Sequence, residues 1–215
     1  MKKFEQDLSR NRQPSVDKDP SGCKTEFLSN FAIRFAGVFW DSITLKTNIR
    51  MRELLADSLT EIWRPSLPRR AQAIAEAGWI IGPNAALLLR AMYGNSWSGE
   101  FDPSEIGHYE YEVNDVYISL SDLREDTRRY LPRAASRGLF FARRMLRDAS
   151  ALEGGDRLLA LVSIFADEDD DDFLLQGATV KFFSRRGAYP DWFEDLEGFR
   201  HEAIAILDLD DVAGF

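Results

Sequence analysis

The stretch DRLLALVSIFADEDDDDFLLQGATVKFFSRRG, residues 156–187, decides how the fold is read. Two apolar runs flank six consecutive carboxylates: Asp167, Glu168, Asp169, Asp170, Asp171 and Asp172. Asp156 is a good N-cap, so RLLALVSIFA predicts a helix that leads straight into the acidic segment. The second run, residues 173–184, suits either a helix broken by Gly177 or a strand, and an apolar run of that length does not separate the two. With the first run helical, the chain reads as mostly α, a helical domain with a minor β-sheet, with α+β as the alternative.

Working outward supports more helix. In LKTNIRMRELLADSLTEIW, Leu45, Ile49, Leu55, Leu59 and Ile62 recur at helical spacing until Pro65 stops them. RRAQAIAEAGW and AALLLRAMYG read as two short helices separated by Gly82-Pro83-Asn84. LREDTRRYL predicts a helix, and Leu139, Ala142, Met145, Leu146 and Ala149 give the next one an apolar stripe that ends at Gly154-Gly155. Beyond Asp191, the residues Phe193, Leu196, Phe199, Ala203 and Leu207 form one helical face. Strand is expected in HYEYEVNDVYISLS, where aromatic and polar residues alternate. The minor sheet then comes from the regions of Phe31, Val116 and Val180. Residues 27–40, FLSNFAIRFAGVFW, suit strand or helix equally.

Residues 1–26 contain only Phe4, Leu8 and Val16 as large apolar side chains, too few to offset the entropy of ordering the backbone, so they read as a flexible tail. Residues 27–215 form the expected single globular domain, within the usual size range. The longest apolar run falls short of a membrane span, the tail lacks the apolar segment of a secretory signal, and Cys23 is the only cysteine. These features predict a cytoplasmic protein with no membrane partner.

Net charge is −9, unevenly spread. Residues 161–215 hold 14 Asp and Glu against four Lys and Arg, whereas residues 122–160 hold nine Arg against six acids. An acidic surface of this strength disfavours nucleic acid as a direct ligand and speeds encounter with a basic protein. The docking candidates are therefore Asp167, Glu168, Asp169, Asp170, Asp171 and Asp172, together with Trp192, Glu194 and Asp195 in the aromatic and acidic stretch AYPDWFEDLEGF. The acidic run fails the calcium-loop pattern: counted from Asp167, position six is Asp172 where Gly is required, and position twelve is Ala178 where Glu is required.

Other constellations carry weaker signals. In a strand, His108, Glu110 and Glu112 would share one face, and a histidine with two carboxylates can ligate a transition metal. The later Pro-Cys-x-x-Cys that a zinc deaminase needs after His-x-Glu is missing. Arg133, Arg137 and Arg144 fall near one face of a helix and could hold phosphate. Ser96 in GNSWSG lacks the second glycine of a nucleophile elbow. No cofactor motif is present.

The leading expectation is thus an acidic, non-catalytic binding protein, such as an inhibitor, immunity protein or antitoxin that occludes a basic surface. The alternative is a metal-dependent hydrolase or nuclease built on the His/Glu cluster, with the arginines on phosphate.

Overall fold

The computed structural model of the chain describes residues 45–58, 65–93, 102–167, 174, 176–186 and 193–212. The expected tail 1–26, the segment 27–40 with Phe31, Ser96, the carboxylates Glu168, Asp169, Asp170, Asp171 and Asp172, and Trp192 lie outside the described residues.

The fold is α+β, which corrects the mostly α expectation. A five-stranded antiparallel sheet forms its centre, in the order β1 (Lys46–Thr47), β7 (Glu202–Leu207), β5 (Leu158–Phe165), β6 (Ala178–Ser184) and β4 (Asp115–Ile118). A separate hairpin pairs β2 (Trp79–Ile81) with β3 (Leu87–Leu89). Among the described residues four α-helices accompany them: α1 (Ile49–Ser58), α2 (Arg69–Ala77), α3 (Ile106–Val113) and α4 (Thr127–Ala149).

Three expected helices are strands, for a common reason. Strands buried on both faces show no alternation of polar and apolar residues, so their sequence resembles that of a buried helix. Leu158 to Val162 are all buried in β5, and Asp156 lies in a 3-10 turn, Gly155–Arg157, instead of capping an α-helix. Leu87 to Leu89 are likewise fully buried in β3. In β7 the small Ala203 and Ala205 face one way and Ile204 and Ile206 the other. That two-residue alternation was the signal for strand, and Ala content obscured it. The run left open, 173–184, resolves as strand from Ala178, and Val180 pairs directly with Val116.

One face of the sheet is sealed. Ala160, Val162, Ala178, Val180, Phe182, Ala203 and Ala205 meet Tyr130, Ala134, Phe141, Ala142 and Met145 of α4, with Met51 of α1 and Ala71 and Ile74 of α2 in the same cluster. Small residues let the helix approach closely: a Cβ on Gly138 would lie 2.8 Å from Val162 Cγ1. Helix α4 is one 23-residue element where the sequence suggested two, and Pro132 is carried inside it. Trp79 closes this core, donating from Nε1 to the Met145 carbonyl at 2.9 Å and meeting Phe182 edge-on at 5.3 Å.

Among the described residues the opposite face is covered at one end only. Leu159, Leu161, Phe183, Leu196, Ile204 and Ile206 cluster under Tyr111, Phe193 and Phe199. Asn48 ties this side together: it caps α1 by accepting from the Met51 amide at 3.1 Å, accepts from Ile204 N at 3.0 Å, and donates to the Glu202 carbonyl at 2.7 Å.

Candidate functional site

The stretch expected to present His108, Glu110 and Glu112 on one strand face is the helix α3. Ile106, Tyr109, Glu110 and Val113 follow helical spacing, with a carboxylate in an otherwise apolar slot. His108 and Glu112 are therefore exposed, one turn apart, while Glu110 is fully buried on the other side. Its Oε1 accepts from Leu87 N at 2.7 Å and from Arg186 Nη2 at 2.7 Å, and its Oε2 accepts from Ser184 N at 2.6 Å. One turn on, buried Asn114 accepts from Leu89 N at 2.8 Å and donates to the carbonyls of Leu87 and Phe182. Glu110 and Asn114 thus join β3 to β6, and neither points at a ligand. Among the described residues no group of three His, Cys, Asp or Glu could hold a metal ion.

The arginines separate as well. Arg137 is 1% exposed and meets Asp122 through two parallel bonds of 2.7 Å, the fork geometry that a phosphate would otherwise receive. Hydrogen bonding from Arg137 holds the Asp122 carboxyl below its ordinary value. Arg133 lies 3.5 Å from Asp126, on the same side of α4. Arg144 turns elsewhere and donates to Gln72 of α2 at 3.2 Å. Arg143, largely buried, is held down to about 10 by desolvation, while burial pushes nearby Asp211 up. The fold uses these guanidinium groups to fasten α4 to its neighbours.

The folded acidic region is partly neutralised from within. Glu194 pairs with Lys46 at 3.5 Å, Glu197 with Arg52 at 2.9 Å and Asp208 with Arg185 at 2.8 Å, and the Asp167 carboxylate is hydrogen-bonded to His201 Nδ1. Asp195 caps the 3-10 turn Leu196–Gly198 by accepting from Glu197 N. Glu194 and Asp195 remain exposed at the surface of the cover. Asp167, the first residue of the acidic run, follows directly on β5 and is fastened by His201 beside the start of β7.

The sheet's second face offers the surface that sequence reasoning missed. In the register, Tyr117, Thr179 and Ser163 stand in one row, and Phe165 and Glu202 in the next. Tyr117 is 47% exposed, and Ser163, Phe165, Thr179 and Glu202 are half-buried. Ser163 donates to the Glu202 carboxylate. Tyr117 packs directly over Gly177, where a Cβ would lie 2.2 Å from the ring, so the far end of the β5 to β6 connection returns beside it. The alternation Asp115, Val116, Tyr117, Ile118 was the available signal, since period two places Tyr117 opposite the buried pair.

The chain was compared with protein-family models, curated proteins and solved structures, and none matches. Among the described residues no helix is long and apolar enough to cross a membrane.

Proposed function

We propose that this chain is a non-catalytic cytoplasmic binding protein whose acidic C-terminal third occludes a basic surface of a target protein, as an inhibitor, immunity protein or antitoxin does. The observation that carries this reading is the placement of the acidic run's first carboxylate. Asp167 meets His201 just past the end of β5, the middle strand of the sheet, and the other carboxylates of the run follow it in sequence. A block of like charge favours electrostatic steering of a basic partner. The groups best suited to chemistry support the same reading, because Glu110 and Arg137 are occupied in joining elements of the fold.

The test is calorimetric titration against a panel of basic proteins, with a variant in which Asp169, Asp170, Asp171 and Asp172 are replaced by Ser. The expected result is binding that weakens steeply with salt and falls in the variant. Equal affinity of both forms for every panel member would remove the run from the mechanism.

A further inference from the structure

We propose that the uncovered half of the sheet's second face is the seat of an arginine-rich segment of the partner protein, with Tyr117 as its anchor and Glu202 as its charge partner. This rests on the acidic-binder reading and adds the surface and the chemistry of the occupant.

The boundary of the seat is drawn by two lysines in one row of the sheet. Lys46 Nζ lies 4.5 Å from the Phe193 ring centre and bonds the Phe193 carbonyl, and Lys181 Nζ lies 4.2 Å from that of Tyr111. The register places Lys46, Ile206, Leu161, Lys181 and Asp115 across the sheet in that order, so the lysines flank the apolar pair Ile206 and Leu161 on either side. On one side of this row Leu159 and Phe183 are buried. On the other side Tyr117, Thr179 and Ser163 share a row with buried Ile204, and Phe165 and Glu202 form the next; apart from Ile204 these residues are half-buried or exposed.

Charge identifies the occupant. The cations at the margin of this half are already engaged: Lys181 pairs with Asp115 at 3.1 Å, and Arg50 donates to the Ala166 carbonyl at 2.9 Å. Glu202 remains on the open rows, and Asp167 lies two positions beyond Phe165, just past the end of β5. A phenol face beside carboxylates suits guanidinium, which stacks on the ring while its edge bonds an acid. Strand β4 ends the sheet, so an extended segment can approach Tyr117 from the side. A second copy of this chain would bring the same negative sign to the contact, and so would nucleic acid.

The experiment uses the full chain and a short Arg-Ser repeat peptide, with a Glu-Ser repeat as control, read by amide shift mapping and by fluorescence anisotropy at low and moderate ionic strength. The Arg-Ser peptide is expected to shift Tyr117, Ser163 and Thr179, and the Glu-Ser peptide to leave them unmoved. Tyr117→Ser should weaken binding about three- to tenfold, and Glu202→Gln should weaken it and flatten its salt dependence, with circular dichroism confirming both variants folded. Shifts confined to Glu194–Glu197 or to the acidic run, with Tyr117→Ser binding like the parent, would overturn the seat while sparing the acidic-binder reading. No binding at low ionic strength would overturn both. A dimer in sedimentation that Tyr117→Ser dissociates would assign the face to a second copy and overturn the proposal.

Discussion

The two faces of the central sheet are built from the same strands, yet one is finished and the other is not. Towards α4, alternate residues of β4 to β7 are apolar, and Gly138 of the helix meets Val162 and Ala178 at the close approach, so contact is continuous. On the reverse, the apolar residues thin out beyond the row of Lys46 and Lys181, where Ser163 and Thr179 stand beside buried Ile204 and Glu202 stands beside half-buried Phe165. The contrast shows that the register assigns separate duties to alternate residues: one set supplies cohesion, and half of the other set is left available for contact.

Breaking the sealed face should have the largest effect. Phe182, fully buried between Trp79 and Phe141, is expected to cost about 4 kcal/mol as Phe182→Ala, measured by the midpoint of denaturant unfolding. Glu110→Ala should cost about 3 kcal/mol by stranding two buried amides and Arg186, whereas His108→Ala and Glu112→Ala should each stay within about 0.5 kcal/mol. Equal effects at all three positions would contradict the helical placement of this stretch. Gly138→Ala should cost about 2 kcal/mol, since its methyl collides with Val162, despite the better helix propensity of Ala.

A pH series sharpens the comparison between paired and merely buried carboxylates. Asp122 is held below its ordinary value by Arg137, so its contribution is complete above the unfolded carboxylate range and lost as pH falls through the depressed folded value. Asp211 is shifted the other way, mainly by burial, so its ionised form disfavours folding and stability rises as pH falls through the raised value. Thermal melts should accordingly show Asp122→Asn lowering stability at neutral pH and flattening the acid limb, with Asp211→Asn raising it. On the open half of the sheet, Tyr117→Ser should change stability by less than about 1 kcal/mol. A larger loss would mean that this half serves cohesion after all.

Much of the helical part of the fold was legible in the sequence because its residues are amphipathic. α1, α2 and the apolar stripe of α4 bury one side, so their spacing declares them. The sheet was harder to read because burial on both faces erases the alternation that would mark β5 and β3, and long apolar runs then read as helix. α3 misled in the opposite sense: Tyr109 and Tyr111 alternate with acids by coincidence, while the pattern that matters places Glu110 among Ile106, Tyr109 and Val113. For the site, acidity was visible but its internal pairing was not, since Lys46 meets Glu194 and Arg52 meets Glu197 across more than 140 residues of chain. The position of Tyr117 on an unfinished surface depends on register, which no local pattern supplies.

Glu110 carries a last implication for how the molecule opens. A single carboxylate receives the amides of Leu87 and Ser184, 97 positions apart, from a helix that belongs to neither strand. The hairpin cannot detach alone without taking one of three donors from a fully buried carboxylate, so local opening there is suppressed. Both amides should therefore exchange with solvent deuterium only when the whole domain unfolds, and at matching rates.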